Sequence, residues 1–307
     1  MQFDDMCYDR PDPEAKFLRK YDDGKPFNRR SVLRKVAAGS MLGIGTGFEV
    51  LWPSQVQSFE DRKNPDNAWG TVKGRIVWKS DDAPPKPRAI DLMKYGLKPA
   101  DYAWFTSKGP IYSEDWVIHP ENLGIKWTYV WMIHSAGGTK AKLPVHPSLE
   151  KPPATSVTFE QPCSGFAPHA VAVRQGQKLV VTNESPVVHA FQWNGFAQTG
   201  NQIMNPGAKI EIPKLVAERQ ALKVSCAPHP WESAWIRVFD HPYFTLTDAD
   251  GRFEIRNVPS GNHRIVVWHE TAGWLGGNTG RNGATLLVEG GGIVDMGEVG
   301  MKPAVKG

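Results

Sequence analysis

The chain is short of cysteine, of charge of one sign and of long apolar runs, and each shortage removes a class of protein. Three cysteines in 307 residues (Cys7, Cys163 and Cys226) are too few for a disulfide-built scaffold. Lys and Arg number 36 against 32 Asp and Glu, a net charge of +4. No basic run is interleaved with aromatics, so nucleic-acid binding is not indicated. The mildly apolar run from Val36 to Phe48 stops at Glu49, below the roughly 20 residues that span a bilayer. Long periodic helical patterns are also few. The chain does have 30 Gly, 25 Pro and 12 Trp, the composition of an all-β protein with many turns. Its length predicts two domains plus ends.

Residues 1–27 are polar and Asp-rich and read as a lead-in. Asn28-Arg29-Arg30-Ser31-Val32-Leu33-Arg34-Lys35, ahead of a weakly hydrophobic Gly-containing stretch, resembles a twin-arginine export signal. That resemblance implies a leader over 1–54 and a periplasmic or cell-surface location, with the segment cleaved or kept as a short helical membrane anchor. Leu51-Trp52-Pro53-Ser54 is a poor cleavage site. The plainer alternative is a short amphipathic helix capping the domain.

From Trp69 the pattern becomes strand-like. Gly70–Trp78 alternates, residues 88–123 are irregular with scattered aromatics and read as short strands and loops, and Ile125–Ile133 is a strand. Between 155 and 240, seven strand-length runs are separated by turn signals: Ser156–Phe159, His169–Arg174, Lys178–Asn183, Val187–Trp193, Lys209–Ile212, Ala221–Ser225 and Trp235–Phe239. That density predicts a β-sandwich. Ala284–Val288 and Ile293–Val299 are the last strands expected. Asp248-Ala-Asp250-Gly251 has the start of a calcium loop but not its later ligands, and reads as a hairpin turn. His269-Glu270 lacks the second His of a zinc protease helix.

The chemistry-bearing stretch is Cys226-Ala-Pro-His229-Pro-Trp231-Glu232. A thiolate and an imidazole three residues apart on one loop suit copper or zinc. His189, after the turn Asn183-Glu184-Ser185-Pro186, is a third candidate at a strand end. A Cys163–Cys226 disulfide is the competing reading of the thiol. His169 reads as structural, and Trp231 and Trp235 as packing around the loop.

The phrase from Phe166 through Val181-Thr182-Asn183 to His189, followed by Cys226-Ala-Pro-His229-Pro, resembles a cupredoxin of the plastocyanin and amicyanin type. The resemblance implies a Greek-key domain over 155–240 with one mononuclear copper held by His189, Cys226 and His229. Glu232 stands where that family's axial Met is expected, and Met204 is the only Met of the domain. Thr247-Asp248-Ala-Asp250-Gly251-Arg252-Phe253, with Val258-Pro-Ser-Gly261 and the opening strand Gly70–Val77, resembles a carboxypeptidase regulatory-like, transthyretin-like sandwich. This second sandwich is then built from 67–150 plus 241–303, with the first inserted, as in some exported bacterial proteins such as those of planctomycetes. The implied function is one-electron transfer with a redox partner protein, through an exposed edge of His229. The alternatives are a non-redox binding or scaffold module with a metal-free relic site, and a catalytic copper opened by Glu232.

Overall fold

The computed structural model describes residues 68–303 apart from 108, 137–141 and 163. The export-signal and leader reading lies outside these residues. No helix among them is long and apolar enough to cross a membrane.

The fold is all-β, two sandwiches side by side. In the first, strands β1 (Trp69–Trp78), β12 (Arg252–Pro259) and β16 (Ile293–Met301) form one sheet in the order β12-β1-β16. Its partner sheet runs β11-β2-β13-β14, from β2 (Tyr129–His134), β11 (Phe244–Leu246), β13 (Gly261–His269) and β14 (Gly273–Trp274), with β15 (Ala284–Val288) also on β13. Val72, Ile76, Val130, Met132, Phe253, Ile265 and Val267 fill the space between the two sheets.

The second sandwich lies between β2 and β11 in sequence. Its strands are β3 (Ser156–Gln161), β4 (Ala170–Arg174), β5 (Lys178–Asn183), β6 (His189–Asn194), β7 (Thr199–Met204), β8 (Lys209–Ile212), β9 (Leu222–Ser225) and β10 (Ser233–Phe239). They pair as β3-β5-β8 and β4-β10-β9-β6-β7. Phe159, Phe166, Leu179, Val181, Phe191, Val224, Ile236 and Val238 form its core.

A third apolar layer joins the sandwiches. On β2, Val130 and Met132 face the first core while Tyr129 and Trp131 face the other way, toward Ala170 and Phe239 of the second sandwich. Alternation along the strand makes this possible, and it explains why β2 is buried on both faces. Val266 and Trp268 of β13 join the same layer. The Tyr129 hydroxyl lies 2.9 Å from Trp235 O and 3.1 Å from Val171 O.

Three expectations are corrected. Residues 99–107 form a helix, α1 (Pro99–Ser107), rather than strands and loops. Pro99 suits the first helical turn, where its missing N–H costs nothing, but the aromatics are scattered around the axis and give no helical stripe. The strand expected from Ile125 begins only at Tyr129, because Trp127 adopts a left-handed φ of 64°. The Asp248–Gly251 turn closes no hairpin: it carries the chain from β11 in one sheet to β12 in the other, with Asp248 Oδ1 accepting from the N–H of Asp250 and of Arg252.

Candidate metal centre

His189 is the first residue of β6, Cys226 follows β9, and His229 and Glu232 lie on the loop into β10. Because β9 is hydrogen-bonded to both β6 and β10, these strand ends share one pole of the second sandwich. Two tight turns, His229 N–H to Cys226 O (3.3 Å) and Glu232 N–H to His229 O (2.9 Å), coil the loop. Cys226 N–H to Glu232 O (3.3 Å) closes it. Three-residue spacing therefore puts all three side chains on the same side, and Pro228 and Pro230 restrict the backbone between them.

On the other side, the buried Asn183 amide donates to Val187 O (2.9 Å) and Met204 O (2.8 Å). Its Oδ1 accepts from the Ser185 N–H (3.0 Å) and hydroxyl (2.8 Å). With its proton given to Asn183, the Ser185 Oγ accepts from His189 Nε2–H at 2.8 Å. This fixes the tautomer, leaving the Nδ1 lone pair of His189 pointing into the pole.

The four candidate donors converge, with ligand atoms all within 4.8 Å of one another. His189 Nδ1 is 2.9 Å from Glu232 Oε2, 3.1 Å from His229 Nδ1 and 3.8 Å from Cys226 Sγ. His229 Nδ1 is 3.5 Å from Cys226 Sγ and 3.6 Å from Glu232 Oε1. A tetrahedron with metal–donor distances of about 2.0–2.3 Å has edges of roughly 3.3–3.7 Å. The observed separations bracket that range.

The electrostatics fit a cation. All four side chains are buried. Burial, reinforced by the Glu232 carboxylate, pushes the Cys226 thiol up. Burial pulls His229 down, keeping its imidazole neutral and able to coordinate. A thiolate beside a carboxylate in a dry pocket is unfavourable unless a positive charge sits between them. Glu232 Oε1 has no hydrogen-bond partner, as expected of an oxygen reserved for another ligand. Cys226 is a free thiol, which sets aside the disulfide reading; Cys163 lies outside the described residues.

Other sequence readings fall away from the pole. His169 is buried against Glu270, with Glu114 3.8 Å from its Nδ1, and is not among the four. Met204 is buried opposite His189 in the β6–β7 register, in the apolar core. The exposed edge expected of His229 is absent: the residue is only 2% exposed, with Phe105 of α1 packed on its ring. Gln161 was not foreseen. It is wholly buried at the end of β3, its Nε2 3.5 Å from Glu232 Oε2 and its Oε1 without a partner. Nothing in its local sequence separates it from any other strand residue.

No family model matches the chain, and no curated protein does. The similar solved structures cover only part of it. A purple cupredoxin from Nitrosopumilus maritimus aligns with 27% of this chain and 98% of its own, at 18% identity and a TM-score of 0.23. A reduced amicyanin variant aligns with 33% of this chain and 100% of its own, at 15% identity and a TM-score of 0.25.

Proposed function

We propose that the second sandwich is a cupredoxin-type domain binding one copper ion through His189 Nδ1, Cys226 Sγ, His229 Nδ1 and the Glu232 carboxylate, and that the protein is a one-electron carrier. The observation that carries this reading is the convergence of two imidazole lone pairs, a thiol and a carboxylate in one solvent-free pocket. Thiolate and imidazole together favour copper, which also outranks the other divalent first-row metals in intrinsic affinity. Bound copper supplies a one-electron couple. The chain's part is to orient the imidazoles through Ser185 and the Cys226 loop, to exclude water, and to give Cys226 Sγ an N–H donor from Ala190 at 3.2 Å. The anionic Glu232 in place of a neutral thioether favours the oxidised ion. All four donors are buried, with none open to a substrate, which supports a carrier over an enzyme.

In this reading the first sandwich is a carboxypeptidase regulatory-like module, the leader directs export to the periplasm or cell surface, and the electrons come from a redox partner protein. The test is titration of the purified protein with Cu(II), followed by optical and EPR spectra beside Cys226→Ala. One copper per chain and a visible thiolate-to-copper band lost in the variant are expected. Failure to bind stoichiometric copper leaves a metal-free scaffold module, and a copper spectrum indifferent to the substitution removes Cys226 from the ligand set.

A further inference from the structure

The site is closed where a carrier of this kind needs an opening. Phe105 and His229 meet edge to face, with centroids 4.9 Å apart, and Phe105 is itself buried. It is held in a cluster with Leu92 and Val187, packed by Ile90, Leu97 and Trp231. Phe105 comes from α1, outside the second sandwich, so one part of the chain covers a pole built by another. Among the described residues, the ring contacts that lead out of the site converge on Trp231. His229 meets Trp231 at 5.2 Å, and Trp231 meets Tyr95 at 4.9 Å between centroids. Tyr95 ends a short 3-10 turn (Leu92–Tyr95) and is 39% exposed, beside the more exposed Met93.

We propose that the centre exchanges electrons with the outside at Tyr95, through Trp231, and that Phe105 shuts the direct route over His229. The proposal rests on the copper reading. One electron moves from an outer-sphere one-electron reductant to the oxidised ion; no bond forms or breaks and no proton is transferred. Trp231 serves as a bridge and not as a resting radical, because its buried Nε1–H has no acceptor to take a proton. Its edge-to-face contact with Phe105 (5.3 Å) holds the indole in place between His229 and Tyr95.

Two measurements test this, one of them free of copper. In the metal-free protein an imidazole-acylating reagent, mapped by mass spectrometry, leaves His229 unmodified in the wild type and modifies it in Phe105→Ala. In the copper-loaded protein the reductant is hexaammineruthenium(II), followed by stopped-flow bleaching of the visible band. Tyr95→Leu and Trp231→Leu keep the wild-type band and slow reduction severalfold, and Phe105→Ala speeds it. Tyr95 sits on an exposed turn, so its variant reports on the path without risk to the fold and carries the test alone if Trp231→Leu is unstable. An unchanged rate in either the Tyr95 or the Trp231 variant, with the band intact, overturns the path. Modification of His229 in the wild type as fast as in Phe105→Ala overturns the closure. A wild type that binds no copper refutes the copper reading instead, and the acylation result still stands or falls by itself.

Discussion

Glu232→Gln separates a metal ligand from a structural ion pair. Without metal, the carboxylate touches His189 Nδ1 at 2.9 Å while its other oxygen has no hydrogen bond. If the pair existed to stabilise the fold, its loss would leave the buried His189 without its partner and cost about 3–5 kcal/mol. If the carboxylate is held for a metal, the metal-free protein carries a poorly satisfied buried anion. The neutral amide then leaves stability unchanged or raises it by about 1–3 kcal/mol. At this size about 1 kcal/mol corresponds to roughly 2–4 °C in Tm. Metal at about 1,000 times its Kd adds roughly 4 kcal/mol, and a hundredfold weaker site at the same concentration retains about 1.4 kcal/mol. The expected result, by thermal unfolding with and without Cu(II), is an unchanged or higher metal-free Tm. The metal-induced rise should fall from roughly 8–16 °C to roughly 3–6 °C. A metal-free Tm lower by about 6 °C or more, with the metal increment intact, would refute the reasoning and make Glu232 a structural partner of His189.

Three further outcomes follow from other contacts. Ser185→Ala removes the acceptor that fixes the His189 tautomer and should weaken metal binding about 10–100-fold, read by competition with a chelator; unaltered affinity would mean the turn alone sets the ring. Burial pulls His269 down to about 4, whereas an unfolded histidine titrates near 6.5, so only the unfolded chain takes up this proton as pH falls through that window. Stability attributable to His269 is therefore whole above pH ~6.5 and declines by up to about 3 kcal/mol toward pH ~4; His269→Asn should flatten that part of the urea midpoint's pH profile, and an equally steep profile would count against it. Gly124→Ala places a Cβ 2.1 Å from the Asp250 carbonyl carbon, a main-chain atom that cannot swing aside, and should cost about 2–3 kcal/mol or more in urea unfolding. A loss below ~1 kcal/mol would show that the loops can part.

The sequence reveals the strands whose two faces differ. Lys178–Asn183 and Ala284–Val288 alternate cleanly and appear at their expected positions. Thr199–Met204 does not: it is a polar edge strand, exposed along most of its length, and offers no alternation to detect. The four converging donors were visible because three share a loop whose three-residue spacing is itself a turn, and the fourth starts a strand beside it. Ser185 lies on the turn just before His189, but Gln161 and Phe105 act on those donors from elsewhere in the fold. Their importance comes from strand register and helix placement, which no local pattern encodes. The buried His229 is the clearest case, since its cover comes from a helix some 120 residues upstream by position in the chain (Phe105 against His229).

The aromatic layer between the sandwiches limits how the molecule can be divided. Tyr129, Trp131, Trp268 and Trp274 lie on one side of it and Trp235 and Phe239 on the other, with the Arg237 guanidinium 4.9 Å from the Trp131 ring and 5.1 Å from that of Phe239. Either half produced alone would present these rings to water as one contiguous apolar face, the kind of surface that drives association. A truncation meant to isolate the metal-binding half would also remove α1 and with it the cover over His229. The smallest fragment of this chain that conceals its own hydrophobic surface is therefore both sandwiches together, and excision of the inserted segment should give two sticky products in place of two modules.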